Sequence, residues 1–237
     1  MIALPKSAMV LAAGLGTRLR PLTEDRPKAL VEVGGQTLID RCLDRLQSAG
    51  VERAVINLHW HAGRMRNHLA KRLKPEIVYS DESKALLETG GGTAQALPLL
   101  GSAPFFVVNC DIIWRDSGAD SLARLAARFD EEAMDALLLV TPTVGAVGYS
   151  GMGDMTMAPD GRLARRDLRT VAPFVFTGVQ ILHPRLFDGA PGGAYSLVKL
   201  YDKAAAAGRL FGLRHEGDWM DIGSHTGLAA AQTLFGG

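Results

Sequence analysis

Five apolar residues in a row, Ala8-Met9-Val10-Leu11-Ala12, run directly into the stretch Ala13-Gly14-Leu15-Gly16-Thr17. A run this short and uniformly apolar reads as a strand buried on both faces, as in a parallel sheet. Parallel strands need crossover connections, and the chain supplies them. The spacing predicts a helix over Thr37–Ala49, with Leu38, Ile39, Cys42, Leu43 and Leu46 on one face and Gly50 at the C-terminal cap. It predicts a strand at Ala54–Leu58, a helix at Ala62–Leu73 and a strand at Ile77–Ser80. Phe105–Asn109 reads as the clearest central strand, followed by a helix around Ser121–Phe129 and a strand at Ala136–Val140. From Gly145 the texture changes. Gly148 to Asp160 is rich in Gly and Met, and Pro159-Asp160-Gly161 signals a turn, so an antiparallel hairpin is expected there. Met152, Met155 and Met157 alternate at strand spacing as packing residues. A strand at Phe174–Leu182, a helix at Tyr195–Ala207, a strand at Leu210–Leu213 and a helix from Ser224 complete the pattern. The rhythm is that of an α/β, doubly wound, mostly parallel sheet with a small antiparallel hairpin excursion, expected as a single domain over residues 1–237.

Hydrophobic residues make up 47% and charged residues 22%, enough to build a core and too apolar for disorder. Lys and Arg number 26 against 25 Asp and Glu, and no basic block exists to neutralise a polyanion. This argues against a general nucleic-acid binder and leaves an anionic small molecule as substrate. Cys42 and Cys110 have no metal-like spacing and rule out a disulfide scaffold, so a reducing, cytoplasmic setting is the expectation. Met1–Lys6 has no charged lead before a long apolar stretch, and Ala8–Ala13 is too short for a signal peptide or a span; no membrane partner is expected.

The glycine stretch continues as Arg18-Leu19-Arg20-Pro21-Leu22-Thr23. Gly14 and Gly16 permit close backbone approach, and successive N–H groups in such a loop form a nest for phosphate oxygens. A dinucleotide fingerprint would need a third glycine where Leu19 stands, and a Walker loop would need Gly-Lys-Ser/Thr where Gly16-Thr17-Arg18 stands. What remains is a phosphate loop carrying Arg18, with a second cation, Lys28, in Arg26-Pro27-Lys28-Ala29-Leu30. Two fixed cations suit a triphosphate approached by a second phosphate, where negative charge grows in the transition state.

These two runs resemble the sugar-phosphate nucleotidyltransferase family. The resemblance continues in Leu87-Glu88-Thr89-Gly90-Gly91-Gly92-Thr93, Val108-Asn109-Cys110-Asp111, Phe176-Thr177-Gly178 and Trp219-Met220-Asp221-Ile222-Gly223. It implies a Rossmann-like core and magnesium-dependent joining of an NTP to a sugar 1-phosphate, with release of pyrophosphate. Asp111 closes the strongest strand, at the sheet edge where α/β proteins bind ligands, and Asp221 follows a short strand. Two convergent carboxylates suit Mg²⁺, which takes few protein ligands. The resemblance assigns Asp111 and Asp221 to the metal, and Arg18 and Lys28 to the phosphates. It places the nucleotide on Leu11, Ala12, Ala13, Gly14, Gly16, Thr17, Arg18 and Lys28, with the base read by backbone groups of Gly90 and Gly91. Asn109 and Gly178 are the sugar candidates.

The sequence departs from the family in Cys110, where glycine is common, and it lacks the Glu-Lys pair that larger thymidylyl relatives carry before the equivalent of Gly178. Arg165, Arg166 and Arg169 precede Phe174 and are candidate contacts for a sugar phosphate or carboxylate. The compact length and the Leu-Glu-Thr-Gly-Gly-Gly run most resemble the branch that couples UTP to N-acetylmuramate 1-phosphate in cell-wall recycling, with short mannose 1-phosphate guanylyltransferases beside it. Other NTP and acceptor pairs, and a non-catalytic nucleotide-sugar sensor, stay open as alternatives, and so does a homo-oligomer. His59 and His61 alternate faces and read as loop histidines rather than ligands, Cys110 as a buried filler, and Trp114 as either a core aromatic or a neighbour of the ligand.

Overall fold

The structure, a computed structural model, describes residues 3–235. Met1, Ile2, Gly236 and Gly237, part of the expected domain and leader reading, lie outside the described residues. The chain begins with β1 (Ser7–Leu11), a short ribbon of β2 (Glu32–Val33) and β3 (Gln36–Thr37), and α1 (Leu38–Ser48). Then come β4 (Arg53–Leu58), α2 (Ala62–Leu69), β5 (Glu76–Asp81), α3 (Glu88–Leu100) and β6 (Phe105–Asn109). β7 (Ile112–Asp116), α4 (Ser121–Arg128), β8 (Ala136–Pro142), β9 (Ala146–Val147), β10 (Met155–Met157) and β11 (Leu163–Arg165) follow. The last elements are β12 (Phe174–Leu182), α5 (Val198–Ala206), β13 (Leu210–Arg214), β14 (Gly217–Asp221) and α6 (His225–Phe235).

The main sheet runs β11-β10-β12-β6-β1-β4-β5, with β8 against β12 and β13 at its side. β1 pairs in parallel with both β4 and β6, and β12 enters antiparallel beside β6. Side-chain alternation splits the core into two layers. Ala8 and Val10 face α1, α2 and α4 through Leu43, Leu46, Met65 and Leu125. Met9 faces α3 and α5 through Ala96, Leu100, Leu200 and Tyr201. The sheet is therefore doubly wound, as expected. A smaller sheet, β7-β14-β9, packs with α6 around Leu19, Ile113, Met220 and Ile222. No helix among the described residues is long and apolar enough to cross a membrane.

Several local readings shift. The hairpin forms as β10 and β11 across the Pro159-Asp160-Gly161 turn, but of its methionines only Met155 is buried, and Met152 is exposed. β7 is not foreshadowed in the sequence pattern: the chain reverses at Cys110–Asp111, and Ile112–Asp116 pairs with β14 instead of extending β6. α2 stops at Leu69 and passes through a turn in which Arg72 N–H meets the Leu69 carbonyl, ahead of the helix-incompatible Lys74-Pro75 step. α5 starts at Val198 rather than Tyr195, because the Tyr195 backbone is committed elsewhere: its N–H donates to the Leu87 carbonyl and its own carbonyl accepts from Gly90 and Gly91.

That contact explains the glycines of α3. Gly90, Gly91 and Gly92 lie inside the helix, not in a loop before it. A Cβ at Gly90 would overlap the Tyr195 ring, one at Gly91 the Gly193 carbonyl oxygen, and one at Gly92 the Glu82 carboxylate. Glycine costs a helix about 1 kcal/mol relative to alanine, so propensity alone makes Gly91→Ala stabilising. Overpacking outweighs it. Gly91→Ala is expected to lower the melting temperature by roughly 3–8 °C, while Gly63→Ala in α2, where nothing lies within 4 Å, leaves it unchanged or raises it. Thermal denaturation of the two variants checks this.

Candidate active site

β1 and β6 are neighbours, yet the chain continues from β1 to β4 on one flank and from β6 to β8 on the other, which opens a crevice at their carboxyl ends. A cavity of about 210 Å³ lies there, lined by Leu11 at the end of β1 with Ala13 and Gly14 beyond it, Asn57 on β4, Leu86 before α3 with Glu88 and Thr89 in its first turn, and Asn109 at the end of β6 with Asp111 beyond it. Gly14 has open space where a side chain would be. Gly16 turns the loop with φ of 64°, and its carbonyl accepts 2.7 Å from the buried Thr23 hydroxyl. Thr17–Leu19 then forms a 3-10 turn that buries Leu19 and leaves Arg18 exposed. Ala12 lies beneath the cavity, its N–H donating 2.7 Å to Asn57 Oδ1.

The four charged candidates converge. Lys28 Nζ donates 2.7 Å to Asp111 Oδ2. Asp221 Oδ1 accepts 2.7 Å from Gly223 N–H, and the Arg18 guanidinium lies on the same glycine, so that a Cβ there would press on both side chains. Ile222 N–H donates 3.0 Å to the Asp111 carbonyl and ties the two aspartate turns together. The Gly148 and Gly227 backbones pack directly on the Asp221 carbonyl and hold the end of β14. Burial, and then the Asp111 charge, push the Asp221 carboxyl above the usual aspartate range, against the Gly223 N–H, Lys28 and Arg18, which lower it. Two neighbouring carboxylates with oxygen-only donors match what Mg²⁺ takes.

The sugar candidates also meet: Gly178 has φ of 85°, and a Cβ on it would crowd the Asn109 side chain. The β12–β8 register slips between Phe176 and Gln180 and bulges the strand at this point. Gly90 and Gly91 need correction as base-reading donors. Both are buried, and both N–H groups bond to the Tyr195 carbonyl at 2.8 and 3.1 Å. Glu88 and Thr89, just ahead of them, line the cavity instead. Arg165 pairs with Asp202, and Arg166 laces its own loop through the Gly153, Asp167 and Leu168 carbonyls. Burial raises the Cys110 thiol well above its usual value, as befits a filler. His59 and His61 bond to the Glu82 and Glu24 carbonyls. Trp114 is a core aromatic, stacked under Arg45 at 4.4 Å.

Asn57 and Glu82 escape a reading of the sequence. Their only signal is a polar residue interrupting the apolar run Ala54-Val55-Ile56-Asn57-Leu58, and an acid immediately after β5. Asp221 yields a pH prediction. An aspartate whose folded-state value is raised costs stability above the unfolded value, and the cost disappears as the pH falls below it. Without added metal, Asp221→Asn is therefore expected to melt higher than the native protein at about pH 8, with the gap closing towards about pH 3. Melting curves across that range check it.

Similarity to known proteins agrees with this geometry. The nucleotidyl transferase family matches residues 7–165. N-acetylmuramate alpha-1-phosphate uridylyltransferase of Caulobacter vibrioides is 47% identical over 232 residues, covering 96% of each chain. The protein of the same name from Neisseria meningitidis serogroup B is 37% identical, covering 97% of this chain and 98% of its own. Among solved structures, the inositol-1-phosphate CTP transferase from T. maritima superposes with a TM-score of 0.79 at 20% identity, covering 99% of this chain and 96% of its own, a likeness of fold. With the phosphate loop, the paired aspartates and these relatives in agreement, the chain belongs to the nucleotidyl transferase family.

Proposed function

We propose that the protein transfers the uridylyl group of UTP to N-acetylmuramate α-1-phosphate, releasing pyrophosphate, as a cytoplasmic step of cell-wall recycling. The observation that carries the reading is the convergence of Arg18, Lys28, Asp111 and Asp221 on the mouth of one cleft. The substrates come from the two relatives, whose similarity spans nearly the whole chain. In this scheme an oxygen of the sugar phosphate attacks the α-phosphorus of UTP, the bond to the β-phosphate oxygen breaks, and pyrophosphate leaves. The attacking phosphate is already ionised at neutral pH, so no protein base is required. The Gly14–Thr17 turn receives the triphosphate. Arg18 and Lys28 supply fixed positive charge where negative charge grows, which is worth more in a dry cleft than in water. Lys28, bonded to Asp111 in the free protein, is the cation that exchanges partners when phosphates arrive. Asp111 and Asp221 would hold Mg²⁺, which neutralises phosphate oxygens and helps align the attack. Asn109 and the bulge at Gly178 receive the sugar.

A grid of four NTPs against several sugar 1-phosphates, with Mg²⁺ and inorganic pyrophosphatase, tests the reading. Turnover is expected with UTP and N-acetylmuramate 1-phosphate, and not with glucose or mannose 1-phosphate. Another productive pair would replace the substrates and keep the reaction class. Silence across the grid from folded protein that still binds a nucleotide would favour a sensor. Arg18→Ala and Lys28→Met are each expected to lower kcat by about 10²- to 10³-fold, and Asp111→Asn by at least as much. An Asp111 variant with native turnover would overturn the metal assignment.

A further inference from the structure

A carboxylate lies buried behind the cleft with no ion pair to it among the described residues. Glu82, directly after β5, is 2% exposed. Its Oε1 accepts 2.7 Å from Asn57 Nδ2, and its Oε2 accepts 3.0 Å from Leu87 N–H at the start of α3. Asn57, 3% exposed, uses its other amide atom to accept 2.7 Å from Ala12 N–H, where the phosphate loop leaves β1. Every bond in this relay has one polarity. Asn57 cannot flip, because that would set its NH2 group against Ala12 N–H and its oxygen against a carboxylate. A charge kept this dry is costly unless its hydrogen bonds are complete, and here they run from one wall of the cleft to the other. Gly92 leaves room for the same Glu82 oxygen, which a Cβ at that position would overlap.

We propose that Glu82 is a positioning residue of the nucleotide site: acting through Asn57, it sets the spacing between the phosphate loop at Ala12 and the base end of the cleft at Leu87–Thr89. This rests on the reading that these two segments hold the triphosphate and the base of one nucleotide. A nucleotide spans both, so a change in their spacing weakens nucleotide binding first. The sugar phosphate, held around Asn109 and Gly178, is affected little.

The polarity of the relay supplies the test. Glu82→Gln puts an amide NH2 against either Asn57 Nδ2 or Leu87 N–H. Asn57→Asp sets two carboxylates face to face. Made together, the exchanges restore every bond with one donor and acceptor reversed: the introduced amide donates to the introduced carboxylate and still accepts from Leu87 N–H, while the other carboxylate oxygen accepts from Ala12 N–H. Each single variant, folded by circular dichroism, is expected to raise the UTP KM by about tenfold and to leave the sugar 1-phosphate KM within about twofold. The double variant is expected to bind UTP better than either single one. Single variants with native UTP KM, a loss shared equally by both substrates, or a double variant as poor as the sum of the two would each overturn the proposal. Should a single exchange prevent folding, Gly92→Ala displaces the same carboxylate oxygen, and a native UTP KM in that variant overturns it as well. An inactive native protein would refute the functional reading instead. Native turnover with unaltered variants refutes only the role of Glu82.

Discussion

The parallel pairing of β1 with β4 on one side and β6 on the other governs both the core and the cleft. It buries Ala8, Met9 and Val10 completely. It also sends the chain to opposite flanks, from β1 to β4 on one side and from β6 to β8 on the other, so that the turns after β1 and β6 spread apart. The Gly14–Thr17 loop and Asp111 emerge from that gap, at the ends of strands whose interiors are fully buried. Asp111 follows directly on the buried β6, while Asp221 closes β14 and Arg18 and Lys28 sit on short 3-10 turns between β1 and β2.

Electrostatics in the cleft are unbalanced. Asp111 and Asp221 repel one another, burial makes this worse for Asp221, and Lys28 and Arg18 offset only part of it. The backbone enforces the arrangement through the Ile222 N–H to Asp111 carbonyl bond and the glycines packed on the Asp221 carbonyl. Such enforced proximity stores an attraction for added positive charge, as expected of a site whose stability is traded for function. The small β7-β14-β9 sheet delivers Asp221 to Asp111, since its register sets Asp221 opposite Ile112.

Much of this is legible in the residues. The uniformly apolar β1, β6 and β8 announce a buried parallel sheet, and β12 is readable from Phe174 to Leu182 without error. Glycine is the least readable residue. Gly14 and Gly16 serve the loop conformation that their spacing suggests, whereas Gly90 and Gly91 serve tertiary contact with a segment a hundred residues away and Gly92 makes room for Glu82, which no local pattern announces. β7 escapes for a related reason. Ile112–Asp116 continues the apolar run of β6, and only the pairing with β14 shows that the chain has turned back. The Glu82–Asn57 link joins two strand ends and is invisible to any window along the chain.

The clasp between Tyr195 and α3 carries a consequence for how such a protein diversifies. Tyr195 accepts from Gly90 and Gly91 and donates to Leu87, and Leu197 N–H bonds to the Thr89 hydroxyl. The segment from 87 to 93 and the segment from 193 to 197 are thus one interlocked piece made of two stretches of chain. A graft that replaces the segment from 87 to 93 without its distant companion imports half a joint. Any redesign of one stretch has to carry the other with it.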